Sequence, residues 1–464
     1  MKSMAIMALA FALLATRGSS RAGEPAERVD ESTAVRLACA HSRELAAARA
    51  RMTSARMAIG ERWREFLPAA SVQYSEDDTV SAGGPDTRNR QVMMSLSYDL
   101  HTGGATVDAY AIAQIEHLAA LENYRMERAA LSLGVRKEYY GLQGAEGEVS
   151  IQRDLLESLL VQRKIIDEES RQGMATELQR VQADARIAEV EYELLRAENA
   201  FRTGTKNFRL LIGASREVRI VPVTAGESDS PAREARGGKS GAVAGALLRR
   251  PEMRMAGLAV RKARAGVRLA RDYSLPVIRF TGSYGYRGER YPLDDRFWNV
   301  GITLSASLFG NGVSSGMSYG EAGYGKEKSV AHNAQADILD DPSGARRTAE
   351  AEFALRDAMA EMERTRMKII VDVERACDRM GETAELVRLA RLNVSLLERQ
   401  AAAEDARARV GDIARYEVLR TYVDLAKARL RLQAAVGERR VSFAELDAAL
   451  GEDGGSETPV GGEL

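Results

Sequence analysis

The chain carries the same unit twice, and a tandem repeat limits its fold to architectures that two equivalent halves build together. The segment SRELAAARARMTSARMAIGERWREFLPAASV from Ser42 aligns, at an offset of 208 residues, with RPEMRMAGLAVRKARAGVRLARDYSLPVIRF from Arg250. Glu44 meets Glu252, Ala48 meets Ala256, Ala55 meets Ala263 and Leu67-Pro68 meets Leu275-Pro276. The same offset carries Gln91–Gly104 onto Asn299–Gly312 without a gap. Further along it becomes 238, so that Gly173 meets Gly411 and Leu211-Ile212-Gly213 meets Ala449-Leu450-Gly451. Separate blocks in one order and nearly one spacing mark a duplication, with units of about 210 and 230 residues.

Each half changes periodicity in the same order. Residues 31–66 are Ala-rich with helical spacing, and Pro68 stops them. Alternation of period two follows: Ala70, Val72 and Tyr74, then Val92, Met94, Leu96, Tyr98 and Leu100. The second half alternates at Ile278, Phe280, Tyr284 and Tyr286, and again at Trp298, Val300, Ile302, Leu304, Ala306 and Leu308. These patterns predict strands at about 69–76, 91–100, 277–287 and 297–308, joined in pairs by polar Gly/Pro-containing loops. Helical spacing then returns for over 90 residues in each half, broken by RQGMATEL at Arg171 and RVGDIARY at Arg409. A 3-4 stripe at Leu178, Val181, Ala185, Ala188, Tyr192 and Leu195 recurs at Tyr416, Leu419, Val423, Ala426, Leu430 and Gln433. The helix predicted over 103–171 is about 100 Å long, and the two shorter ones, 31–66 and 174–212, sum to a similar length. Stacked end to end, they pack along the long one. The fold class expected is mainly α with a small β part, in two tandem repeats.

The remaining segments bound the chain's setting. Lys2 followed by the apolar run Ala5–Ala15 and a small-x-small site at Ser20-Arg21-Ala22 reads as a signal peptide over 1–22, or as an uncleaved anchor. No later run is long and apolar enough for a membrane-spanning helix. The first repeat occupies 23–213, a Gly/Ser-rich linker 214–242, the second repeat 243–451 and a flexible tail 452–464. Lys and Arg total 66 against 67 Asp and Glu, with the two signs interspersed, which argues against nucleic-acid binding. Four scattered histidines give no metal-ligand spacing. Cys39 and Cys377 both lie in amphipathic helical stretches, as buried small hydrophobes or as a disulfide in an oxidising compartment. Gly320–Lys326 imitates a phosphate loop, yet Glu327 stands where Ser or Thr must hold Mg²⁺. No catalytic constellation and no cofactor motif emerges.

Four amphipathic strands do not close a barrel. In lipid, an open sheet would leave its edge N–H and C=O groups unsatisfied. A barrel shared among chains resolves this, with about twelve strands if three chains contribute; a soluble sheet packed on a helix is the alternative.

With these features in place the chain resembles the outer membrane efflux protein family, the TolC-like outer membrane factors. The helix starts at Glu44 and Pro251-Glu252, the Leu-Pro pairs at 67–68 and 275–276, the Leu308–Gly312 strand exit and the two tip turns carry the resemblance over residues 30–451. It implies a homotrimer with a shared twelve-stranded barrel in outer-membrane lipid and antiparallel coiled-coil helices forming a periplasmic tunnel. The implied role is the channel subunit of a tripartite efflux or type I secretion system, a passive duct meeting a periplasmic adaptor protein and an inner-membrane transporter. A soluble periplasmic coiled-coil scaffold or adaptor is the alternative. By the same resemblance the tips that dock the adaptor are Arg171, Gly173, Met174, Arg409, Gly411 and Ile413, and Glu417 and Arg420 form the periplasmic constriction. Val92, Met94, Leu96, Tyr98, Trp298, Val300, Ile302 and Leu304 face the membrane, with Trp298, Tyr98, Tyr284 and Tyr286 as interfacial aromatics. The chain departs from the family pattern at 313–347, where about 28 extra residues predict a loop or broken helix near the barrel rim.

Overall fold

The structure, a computed structural model, describes residues 27–79, 87–214, 218–220, 238–272, 275–308, 311–338 and 343–452. The expected signal peptide, most of the linker between the repeats and the tail after Glu452 lie outside the described residues. The first repeat contains β1 (Glu27–Val29), α1 (Glu31–His41), α2 (Arg43–Arg64), β2 (Ala69–Thr79), β3 (Thr87–His101), α3 (Ala105–Arg171) and α4 (Glu177–Ile212). After β4 (Val218–Ile220), which pairs in parallel with β1, come α5 (Gly238–Arg249), α6 (Pro251–Asp272), β5 (Val277–Gly288) and β6 (Asp295–Leu308). The chain ends with β7 (Asn311–Ala322), β8 (Glu327–Asp337), α7 (Gly344–Arg409) and α8 (Arg415–Leu450).

The single helix expected over 31–66 is two, because Ser42 ends α1 and its hydroxyl accepts from the Leu45 N–H at 3.2 Å to start α2. At the equivalent place Arg250 separates α5 from α6, and Pro251 takes the first helical position, where its missing N–H costs nothing.

The helices form one layer. The long α3 packs against α2 and α6 over its upper half and against α4 and α8 over its lower half, while α7 packs against α6 and α8. The layer therefore runs α2/α4, α3, α6/α8, α7, with the shorter helices stacked end to end. Both stacking joints close on a left-handed glycine. At Gly213 (φ +68°) an added Cβ would lie 2.5 Å from Cβ of His41, and at Gly451 (φ +70°) 3.2 Å from Arg249.

Next to each joint sits one of two equivalent small cores. Ala34, Ala38 and Val135 pack with Tyr139, Phe208 and Ile212 in the first. Ala242, Ala246 and Val373 pack with Ile369, and Cys377 stands where the first core has Tyr139. The thiols of Cys39 and Cys377 are not joined to each other. The Tyr140 hydroxyl donates to the Glu31 carboxylate at 2.6 Å, and Lys239 pairs with Asp378 at the corresponding place. Burial, reinforced by the Glu31 carboxylate, pushes the Tyr140 phenol above its ordinary value.

The four expected strands are present, and the chain adds two more. The segment read as a loop or broken helix over 313–347 is a β-hairpin, β7–β8, followed by the start of α7 at Gly344. All six strands form one antiparallel sheet in the order β2-β3-β5-β6-β7-β8. The physical reason lies in the alternation of Val313, Met317 and Tyr319 with Ser314, Gly316, Ser318 and Gly320. Half of its positions are small residues that break helices but fit a sheet face. In the first repeat the chain leaves β3 through Gly103 (φ +64°) and Gly104 (φ +99°) and turns directly into α3. At the corresponding point, Asn311-Gly312, it continues into β7. The phosphate-loop look-alike is the end of β7 and the turn to β8, through Gly323, Tyr324 and Gly325 at positive φ, with no helix after it.

Gly213→Ala is expected to destabilise the joint by more than about 1 kcal/mol, from left-handed strain plus the His41 clash. Circular dichroism melting of the two proteins measures it, and an unchanged midpoint would contradict the joint as described.

Candidate functional site

Two surfaces hold the residues that the sequence singled out: the faces of the sheet and the turns at the far ends of the long helices. In the sheet, pairing fixes which side chains share a face. Val72 pairs with Met94, Met94 with Tyr284, Tyr284 with Trp298 and Trp298 with Glu321. One row lower, Tyr98 pairs with Phe280, Phe280 with Ile302, Ile302 with Met317 and Met317 with His332. Val92, Met94, Leu96, Tyr98, Trp298, Val300, Ile302 and Leu304 thus all lie on one face, Tyr98 and Trp298 half-buried and the other six exposed. Val313, Met317, Tyr319 and Val330 of the added hairpin continue that face.

The opposite face carries Ser95, Ser97, Thr281, Ser283, Asn299, Thr303, Ser305, Ser314, Ser318, Asn333 and Gln335. Toward the helices it carries a cross-strand charge pair, Arg279 on Asp99, at 2.6 Å. Charge gathers at the end of the sheet remote from the helices. Arg88 pairs with Asp78 at 2.6 Å, Arg90 with Glu76 at 2.8 Å, and Arg287 with Asp295 and Glu327 at 2.6 and 3.0 Å. The Arg88 guanidinium holds the Asp78 carboxyl below its usual range. Just below these charges the apolar face has an aromatic row, with Trp298 5.4 Å from Tyr319 and Tyr284 5.7 Å from Tyr286. Tyr98 stands apart from this row, beside Phe280 toward the helical end. At Leu100 the β3–β5 register shifts, so this residue belongs to a bulge rather than to the row that its spacing suggested.

The helical tips are two copies of one turn. The Met174 N–H bonds to the Glu169 carbonyl at 2.8 Å, and the Asp412 N–H bonds to the Arg407 carbonyl at 3.0 Å, over Gly173 and Gly411 at φ +73° and +79°. Arg171 and Arg409 are exposed and pair within their own helices, with Glu168 and Asp405. Met174 is 69% exposed, and Val410, which the sequence reading passed over, is 81% exposed.

The copies then diverge. Thr176 caps α4 with a reciprocal box to Gln179. Ala414 occupies the equivalent place before α8 and offers no side-chain cap, so the carboxylate of Glu417, equivalent to Gln179, is left exposed at a helix N-terminus. Arg420 is exposed one turn later, and neither it nor Glu417 has an ion-pair partner among the described residues. Ile413 is half-buried.

The side chain that joins the two tips is one the sequence reading missed. Arg415, buried but for 13% of its side chain, reaches Glu169 of the first tip at 3.1 Å and Asp405 of its own hairpin at 3.7 Å. Nothing local marks Arg415, because its partner Glu169 lies 246 residues away.

A sheet with one apolar and one small polar face, mounted on a single layer of very long antiparallel helices, defines a class of barrel-and-conduit proteins. The sequence profile of the outer membrane efflux protein family matches residues 34–214 and 243–452, and the chain belongs to that family. It is 27% identical to the outer membrane protein OprJ of Pseudomonas aeruginosa over 231 residues, 48% of this chain and 47% of OprJ. The chain thus matches about half the length of that relative. The transmembrane channel CusC superposes with a TM-score of 0.77 at 18% identity, over 94% of this chain and 96% of CusC. The outer membrane protein VceC of Vibrio cholerae superposes with a TM-score of 0.72 at 16% identity, over 91% and 96% of the two chains. At these identities the likeness to the solved structures is one of fold.

Arg415→Ala is expected to separate the tips, so that amide exchange over residues 405–415 and 166–172 accelerates. Arg171→Ala, which removes only a pair within one helix, is expected to leave exchange there unchanged.

Proposed function

We propose that this chain is the channel subunit of an outer-membrane efflux system, closing with further copies of itself into a barrel in lipid and a helical duct in the periplasm. The observation that carries this reading is an asymmetry between the repeats. In the first, α3 packs between α4 and α8; in the second, α7 packs against α8, with no helix on its other side among the described residues. The repeat symmetry calls for a copy of α4 there, supplied by a neighbouring subunit. Both surfaces that would meet are apolar and open. The stripe Leu178, Val181, Tyr192 and Leu195 of α4 is exposed, whereas Leu419, Val423 and Ala426, its counterparts on α8, are buried. Leu386, Leu389, Leu392 and Leu396 line the outer side of α7 and are also exposed. Three copies close the ring, on the family resemblance.

The sheet supports the membrane assignment. Its apolar face carries Val72, Ile302, Met317 and Val330 in the open, at 75, 51, 58 and 63% exposure, on strands of membrane-spanning length. A soluble periplasmic scaffold, the second reading, would leave that face in water. The small polar face then lines the lumen, and the charged end of the sheet stands outside the membrane. The chain performs no chemistry in this role, and the cargo is set by the inner-membrane transporter. The exposed tips, with Met174 and Val410 flanked by Arg171 and Arg409, dock the periplasmic adaptor, and Gly173, Gly411 and Ile413 shape their turns.

Glu417 and Arg420, exposed and without an ion-pair partner among the described residues, meet their counterparts across subunits at the narrow end. Glu417→Lys is expected to raise the conductance of the reconstituted channel several-fold, and adding Arg420→Glu to restore it. Equal conductance in all three proteins would remove these residues from the constriction.

Fractionation followed by semi-native electrophoresis tests the whole reading. A heat-modifiable, trimer-sized band from the outer membrane is expected, whereas a soluble periplasmic monomer would refute it. Val300→Arg, on the apolar face, is expected to lose that band, because arginine at the bilayer midplane costs about 2–4 kcal/mol. Thr303→Arg, on the opposite face, is expected to keep it.

A further inference from the structure

The repeat symmetry states where the sheet of one subunit should join the next. Inside the chain, the last strand of the first hairpin, β3, pairs with the first strand of the second, β5. The equivalent junction would set β6 against β2 of a neighbour. In this chain that edge is already taken, because β7 pairs with β6 along Phe297–Leu308. We propose that the β7–β8 hairpin is part of the barrel wall, that β8 forms the seam with β2 of a second copy, and that the trimer closes as an eighteen-stranded barrel. The inference rests on the trimeric channel reading above and adds to it the strand count and the seam.

Four features carry it. The hairpin obeys the same two-faced rule as the rest of the sheet. Val313, Met317, Tyr319 and Val330 continue the apolar face, and Ser314, Gly316, Ser318, Ser329, Asn333 and Gln335 continue the polar one. A hairpin folded over the rim in water or across the lumen would have no use for an apolar face aligned with that of β6.

The two edges also fit each other. Each of β2 and β8 is 11 residues long, and they run in opposite directions at the two ends of an antiparallel sheet, so joining them makes another antiparallel pair. Even-numbered residues point to the apolar face on both strands, so one set of registers keeps both faces continuous. At the charged end of the sheet that join brings Lys328 of β8 toward Glu76 and Asp78 of β2, on the same face.

Widths agree as well. Four helix columns at ordinary interaxial distances span an arc of about 36 Å. Six strands at ordinary spacing and tilt span about 38 Å, whereas four span about 25 Å. At that tilt six strands per subunit come to the width of the helical layer beneath them, whereas four reach it only with a steeper tilt. Because barrel diameter grows with strand number, the mouth is about one and a half times as wide as that of a twelve-stranded barrel of equal tilt.

Finally, β8 is exposed along its length in the single chain, as β2 is, and lipid tolerates no open edge.

The test places cysteine pairs on the polar face of the full-length protein, with Cys39 and Cys377 first replaced by Ala. One set combines Gln73→Cys or Ser75→Cys on β2 with Ser329→Cys, Ala331→Cys or Asn333→Cys on β8. The other combines the same β2 positions with Asn299→Cys, Thr303→Cys or Ser305→Cys on β6. Oxidised outer-membrane protein is run on denaturing gels without reductant, and semi-native gels establish that each variant is trimeric. Covalent dimers and trimers from a β2–β8 pair, with none from the β2–β6 set or the single cysteines, are the expected result. Crosslinking through β6, or a trimer that no β2–β8 pair crosslinks, would overturn the eighteen-stranded wall and leave the trimeric channel standing. Absence of a trimer in the protein with Cys39 and Cys377 alone replaced, and equally in the unmodified protein, would instead refute the channel reading on which this proposal rests.

Discussion

The described residues form a structure one layer thick. A single antiparallel sheet presents a row of unpaired N–H and C=O groups at each edge, and a single layer of helices presents an apolar flank on each side. Among the described residues neither layer has a second one folded over it to supply a core, so the buried side chains form narrow stripes of Ala, Val and Leu between neighbouring helices. Such a layer is completed by curling round until its two edges meet. The length of the helices, the paired joints at Gly213 and Gly451 and the two faces of the sheet all serve a wall that separates an inside from an outside.

Duplication builds the wall economically, and divergence between the copies gives it its particular features. The two cores beside the joints keep Ala34 and Ala242, Ala38 and Ala246, and Val135 and Val373 in place, because these positions set the distance between helices. Contacts at the periphery were free to change chemistry, as Glu31 on Tyr140 became Lys239 on Asp378. At the tips the first copy uses Thr176 and Gln179 to cap its helix, while the second leaves Glu417 unspent and uses Arg415 to hold the other tip. Glu417 and Arg420, without an ion-pair partner among the described residues, thus belong to the second tip of each subunit. In the proposed ring they recur once per subunit at the tips.

Much of this was legible in the residues. The repeat, the alternating strands, the Leu-Pro stops and the glycine turns are local signals, and the helices and four of the strands follow from them. The added hairpin was not legible, since Gly and Ser at every second position of β7 weaken both the helical and the strand pattern. Only pairing with β6 shows that these small residues share one face. Arg415 was missed for a related reason. Its significance lies in a carboxylate from the other repeat, and no spacing within either repeat records that distance.

The sequence by itself therefore determined the periodic part of this protein: two equivalent units, long amphipathic helices, strands with one apolar face and turns at matching places. These follow from the rotation per residue of helix and strand, which the order of side chains reveals directly. The tertiary structure decided which edges remain open, which copy of a repeated stripe is buried, how many strands the sheet holds and which charges meet across the tips. Those are outcomes of competition between distant segments for the same neighbour. The stripe at Leu178 and the stripe at Leu419 carry nearly the same pattern, and only the packing of α3 on one of them distinguishes the two.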